Sequence, residues 1–303
     1  MSDLEALVAA RLDTQVPAVI GAVARDLQRT MGGDALLFYG SALRDPDLDG
    51  VLDFYVLDDE ASVKARGWRP FAFLWPDVSY HEMEIGGLRL RAKVARMKLA
   101  TFERAAAGRA MDTTVWARFA QPARLVFARD EGVARRVRGA AVDCVLTAGR
   151  FAALLGPAAG TARDYWAALF GATYGTEFRI ETRKRADKIL ATDPDYYDTA
   201  LPAAWRRTGL LAASGRGALR PDMAPAERRR LAMRWRVRRW AGKPLNIMRL
   251  VKAAWTFEGA ARYALWKIER HSGVHIPLTP WRERHPVLAA PGVLFRLWRA
   301  ERR

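Results

Sequence analysis

Apolar and polar positions alternate with two periods along this chain, and the change of period divides it. Leu7, Val8, Leu12, Val16, Ile20, Val23 and Leu27 recur at helical spacing, so the stretch from Leu4 to Thr30 reads as one or two helices. Gly32-Gly33 ends that pattern. Two short apolar runs follow, Ala35 to Tyr39 and Val51 to Leu57, each the length of a buried strand. The loop between them, Ser41 to Gly50, is rich in Asp, Pro and Gly. Val78 to Val94 reads as two strands around Gly86-Gly87, Met97 to Gly108 as a helix, and Leu125 to Phe127 as a further strand. Beyond Glu131 strand signals vanish. Val133 to Leu155 and Thr161 to Phe170 carry helical periodicity, and Ser214 to Pro225, rich in Gly, Pro and Ala, has the makings of a linker. The pattern predicts an α+β chain: a mixed sheet with helices in front, followed by a mainly helical C-terminal region. The expected divisions are 1–130, 131–213, the linker 214–225, and 226–303.

Composition sharpens the last of these. The 303 residues carry a net charge of +17, and half of them are hydrophobic, so a sizeable core is expected. From Ala226 to Arg303 there are 19 Lys and Arg against 5 Asp and Glu, whereas the preceding residues hold 31 against 28. Six of the 11 Trp fall in the same segment: Trp235, Trp240, Trp255, Trp266, Trp281 and Trp298. Arg and Trp together suit an anionic membrane surface, where indoles sit at headgroup level, and Trp281, Arg296, Trp298 and Arg299 are the expected membrane-contacting residues. RNA is the less favoured polyanion. The most apolar stretch, Leu245 to Ile268, is interrupted by Arg249, Lys252, Glu258, Arg262 and Lys267 and does not read as a bilayer span. The start, with Asp3 and Glu5, does not read as a signal peptide. One cysteine, Cys144, makes no internal disulfide and suits a reducing compartment. A cytoplasmic protein, peripheral on the inner face of the cell membrane, is expected. The four histidines, His81, His271, His275 and His285, show no metal-ligand spacing.

Chemistry concentrates in Phe38-Tyr39-Gly40-Ser41 and, after the acidic loop, Leu52-Asp53-Phe54-Tyr55-Val56. A strand, a Gly-Ser turn and a second strand bearing a carboxylate form the grammar of the nucleotidyltransferase superfamily. Gly40 would allow close approach of a nucleotide triphosphate, and Ser41 with nearby backbone N–H groups would hold its phosphate oxygens. Asp53 would bind Mg²⁺. Many members of that superfamily have a second carboxylate two residues on, where this chain has Tyr55, a poor Mg²⁺ ligand at neutral pH.

At this point the chain resembles the mitochondrial-type phosphatidate cytidylyltransferases, which also follow Tyr-Gly-Ser with an Asp-Phe-aliphatic strand lacking the second acid. Ala117-Arg118-Phe119-Ala120-Gln121-Pro122 is similar to that family's Gly-Arg-Leu-x-Lys-Pro segment. Tyr174-Gly175-Thr176-Glu177-Phe178-Arg179-Ile180 resembles its Gly-Asp-Phe-Arg-Met motif, and Lys184 to Leu190 the Lys-x-x-x-Ile-Val stretch after it. The departures are Ala42 for the family's Gly, Gln121 for its Lys and Glu177 for its Asp. The resemblance implies a nucleotidyltransferase-like fold, Mg²⁺, and conversion of CTP and phosphatidate to CDP-diacylglycerol and pyrophosphate. It implies nucleotide contacts from Tyr39, Gly40, Ser41, Lys184 and either Arg91 or Lys93. Asp53, Arg118, Glu177 and Arg179 would do the catalytic work, with Glu177 joining Asp53 at the metal. An acceptor phosphate is already ionised at neutral pH, so positive charge matters there more than a third carboxylate. Two alternatives stand beside this: a nucleotidyltransferase acting on another small molecule or RNA, and a catalytically silent relative that binds lipid or nucleic acid.

Overall fold

A computed structural model of the chain describes residues 2–44, 48–66, 74–176, 183–211, 218–256, 259–284 and 288–293. The N-terminal periodicity resolves into two helices, α1 (Asp3–Leu12) and α2 (Ala18–Met31). Ser2 starts α1: its hydroxyl accepts from the Glu5 N–H while the Glu5 side chain accepts from the Ser2 N–H, so two orphan helix donors are satisfied. Then come β1 (Ala35–Tyr39), α3 (Ser41–Arg44), β2 (Leu52–Asp58), α4 (Glu60–Arg66), β3 (Asp77–Ile85) and β4 (Leu88–Lys98). After them lie α5 (Leu99–Ala106), α6 (Thr114–Phe119), β5 (Arg124–Ala128), α7 (Glu131–Leu155), α8 (Ala162–Thr176), α9 (Arg183–Leu190) and α10 (Pro194–Thr208). The chain closes with α11 (Pro225–Thr256), α12 (Ala260–Ser272) and α13 (Pro280–Arg284).

The five strands form one mixed sheet in the order β3-β4-β2-β1-β5. Only β2 and β4 run parallel; the other neighbours are antiparallel. The α+β expectation therefore holds. Met97 and Lys98, read from sequence as the start of a helix, are instead the end of β4, because they pair with Leu57 and Asp58 of β2 and the ladder runs on past the apolar run.

Both faces of the sheet are covered, which explains why β1 and most of β2 are apolar at every position. One face carries Leu36, Phe38, Leu52, Phe54, Val56, Leu90, Ala92 and Val94 against Ile20, Val23, Ala24 and Leu27 of α2. The other carries Leu37, Tyr39, Tyr55, Leu57, Ala95 and Met97 against a larger cluster drawn from α1, α5, α6, α7, α8 and α10. That second cluster also takes in Met223, Leu231 and Trp235, so one apolar core runs from Leu4 across the expected division at 131 and into α11. The segment before α11 is pinned where it is described: Leu219 and Gly160 exchange backbone hydrogen bonds of 2.8 and 3.1 Å, and the Tyr165 hydroxyl donates to the Leu219 carbonyl. Residues 214–217 lie outside the described residues. No helix among the described residues is long and apolar enough to cross a membrane.

Candidate functional site

Sheet register gathers the sequence motifs. Tyr39 lies directly opposite Asp53, Asp53 opposite Lys93, and Lys93 opposite Tyr80, giving a row across β1, β2, β4 and β3. Side chains alternate along a strand, so Tyr55, Arg91 and Glu82 share that row's face, the one turned toward the larger core. Arg91 and Lys93 are thus not competing alternatives: both reach the face that bears Asp53. Gly40 follows at the end of β1 with φ +96°, and a Cβ there would lie 2.8 Å from Asp53 Oδ2. The glycine is required first by the close packing of the aspartate against the turn.

Arg118, from α6, lies across the two tyrosines. Its Nη1 donates to the Tyr55 hydroxyl at 3.2 Å, and its guanidinium is 5.2 Å from the centre of the Tyr39 ring. Tyr39, Tyr55, Phe102 and Phe119 pack ring to ring beneath it, with centroids 5.0 to 6.4 Å apart. Burial pushes the Tyr55 hydroxyl above its ordinary pKa, only partly opposed by Arg118. Tyr55 is therefore a neutral phenol accepting from a guanidinium, an arrangement opposite to that of a metal ligand.

The C-terminal helices bring side chains that the sequence reading treated as surface. Arg249 of α11 lies 2.5 Å from the Asp112 carboxylate, within 3.4 Å of the Thr114 hydroxyl, and over the Trp75 ring at 4.7 Å. Among the described residues its buried Nε has no hydrogen-bond partner. Arg238 donates to the carbonyls of Gly108 and Ala110 at 2.6 and 2.9 Å, and Lys252 to the Leu74 carbonyl at 2.7 Å and to Asp77. On α12, Tyr263 packs on Tyr80 with ring centres 5.4 Å apart, and burial, reinforced by the charge of Asp53, raises its pKa. Arg91 and Arg270 each hold a guanidinium 5.4 Å from the centre of the Trp266 ring, and both donate to the Asp49 carbonyl. Glu82 faces Arg91 at 3.9 Å and accepts from Arg89 and the Tyr80 hydroxyl; burial works to raise its pKa, but those hydrogen bonds outweigh it and the carboxyl sits below the ordinary range. One sequence signal could have exposed these residues. Arg249 and Lys252 interrupt an otherwise apolar run, and a cation in such a run belongs inside, against a partner.

The remaining expectations divide. Glu177 and Arg179 lie outside the described residues, as do Arg296, Trp298 and Arg299. Lys184 is in α9, its side chain outside the described part, and Ser41 opens α3. Trp281, in α13, is 54% exposed. Trp235, counted from composition with the surface indoles, is in the core. His81 hydrogen-bonds Ser79 and His275 pairs with Glu269, both structural contacts. Among the described residues no group of three or more His, Cys, Asp or Glu could hold a metal ion. The single carboxylate Asp53 still suits Mg²⁺, an ion commonly held by one or two carboxylates together with substrate phosphates. No protein-family model matches this chain, and no curated protein matches it.

Proposed function

We propose that the chain is a Mg²⁺-dependent nucleotidyltransferase of the phosphatidate cytidylyltransferase kind, joining CTP and phosphatidate into CDP-diacylglycerol and pyrophosphate at a membrane surface on the cytoplasmic side. The observation that carries this reading is the packing of Asp53 against the Gly40-Ser41 turn, with Lys93 beside it and Arg118 over the neighbouring tyrosines.

In this reading a phosphatidate oxygen attacks the α-phosphorus of CTP, forming the new P–O bond as the bond to pyrophosphate breaks. Asp53 would hold Mg²⁺ together with the substrate, and the ion would offset negative charge on the reacting phosphates. Lys93 and Arg118 add fixed positive charge, which serves two anionic reactants more directly than a base would. Ser41 and the turn beside Gly40 receive phosphate oxygens. Tyr55 keeps Arg118 aimed along the row, a positioning role that a neutral phenol performs well.

The deciding experiment incubates the protein with each labelled nucleoside triphosphate and vesicles containing phosphatidate. Label from CTP should enter the lipid fraction, and Asp53→Asn should abolish this while leaving the melting temperature unchanged. Near-normal turnover in that variant, or label transferred to RNA instead of lipid, removes the assignment.

A further inference from the structure

Helix α11 buries one side and leaves the other bare. Leu231, Trp235, Arg238 and Lys252 are buried, with Arg249 against Asp112. Met233, Val237, Trp240, Ile247 and Met248 are all exposed, Trp240 to 81%. Their spacings bring them onto one stripe of an α-helix, in line with the exposed Pro244. Single exposed apolar residues are ordinary, but a continuous strip of them marks an interaction surface. The strip is edged by exposed Arg229, Arg230, Arg234, Arg236 and Arg239, and α11 has no acidic residue after Glu227. Among the described residues none of these five arginines has an anionic partner.

We propose that this face of α11 is seated in the headgroup region of an anionic lipid membrane, with Trp240 at its centre and the arginines on lipid phosphates. Charge complementarity selects the occupant. A second copy of this chain would set two rows of arginine against each other. RNA would find one indole to stack on, while Met233, Val237, Ile247 and Met248 have no π-face to offer it. A bilayer satisfies both parts, taking aliphatic side chains below the headgroups and cations at their level. The inference deepens the membrane part of the proposed function and is independent of its chemistry. It places the principal contact on α11 rather than on the C-terminal residues that composition alone singles out.

The test uses the full chain in co-sedimentation with phosphatidylcholine vesicles, with and without phosphatidylglycerol. The wild type should pellet with the anionic vesicles only. Trp240→Ser with Val237→Ser should weaken binding by at least about tenfold, since burial of one large apolar side chain is worth that much. Arg234→Gln, Arg236→Gln and Arg239→Gln together should weaken it about a hundredfold, at roughly fivefold per cation, and flatten its salt dependence. Melting temperatures should stay unchanged, because every substituted residue is exposed. The proposal is overturned if both variants pellet like the wild type. It is equally overturned if the double variant keeps its vesicle affinity while losing RNA binding or self-association. Turnover on dispersed short-chain phosphatidate separates the two readings: docking variants keep it if the chemistry is right, and a chain that binds vesicles through α11 yet makes no CDP-lipid refutes the function alone.

Discussion

Gly40→Ala is the smallest change that reports on the candidate site. Two costs follow from the geometry. At φ +96° an alanine is held where L-residues are strained, worth roughly 1–3 kcal/mol. Its Cβ would also stand 2.8 Å from Asp53 Oδ2, with the Asp53 Cβ at 3.3 Å. The first cost is local to residue 40, whereas the second depends on the carboxylate. Removing the carboxylate by Asp53→Ala leaves only the 3.3 Å contact with the Cβ, so the alanine at 40 should then cost its conformational term and a small residual strain. A double-mutant cycle by urea denaturation, followed by circular dichroism, should give a favourable coupling of about 0.5–3 kcal/mol between the two sites. Turnover should fall in Gly40→Ala beyond what stability explains, since moving a reacting group by about 1 Å can cost roughly a hundredfold. Strict additivity, within about 0.3 kcal/mol, would show that Asp53 does not press on the turn, and the geometric argument for the site would fail.

Asp112→Ala strands the Arg249 guanidinium beside Trp75 and should cost about 3–5 kcal/mol of unfolding free energy, read as a lower urea midpoint; no loss would mean α11 is not bound to the body through this pair. Glu177→Gln, if the residue joins Asp53 at the metal, should slow turnover at least about a hundredfold, some 2.7 kcal/mol of barrier; an effect confined to KM for lipid moves the second ligand elsewhere, Asp49 first. Asp143 has its pKa raised by burial, an effect that Arg207, Arg109 and Arg150 only partly oppose. A carboxyl with a raised folded pKa adds stability below its unfolded value, near 3.8, and loses it as pH climbs through the folded one. Asp143→Asn should accordingly raise the melting temperature at neutral pH, with the gain fading below pH 3.8; a constant difference across that range would contradict the sign.

Much of this was legible in the residues. The runs at Ala35, Val51 and Leu125 are strands, because apolar residues at successive positions belong to a sheet covered on both faces, and the run at Val78 is a strand of mixed polar and apolar residues. Gly40-Ser41 and Asp53 meet because β1 and β2 pair antiparallel across a short acidic loop. The β2–β4 register was not legible. It is a parallel pairing that skips β3, and no local signal specifies which residue of β4 faces Asp53, so Arg91 and Lys93 could not be ordered. The C-terminal quarter misled for another reason. Counting charges ignores sidedness: on α11 Arg238, Arg249 and Lys252 point inward to carbonyls and carboxylates, while Arg234, Arg236 and Arg239 point outward. Composition added the two groups together, and only the helical phase separates them.

The contact of Trp266 with Arg91 and Arg270, both holding the Asp49 carbonyl, bears on the order in which the chain is made. A nascent chain that has emerged only through β4 holds the strands that set Gly40, Asp53 and Lys93 side by side in the finished fold, but nothing to stack on Arg91 and no second hand on the acidic loop. Those arrive only once α12 has emerged. Synthesis thus runs ahead of competence: the row that would bind a nucleotide is laid down early, and the indole that steadies its rim comes late. If α11 docks on lipid as proposed, the rim would close on a chain already held at the membrane.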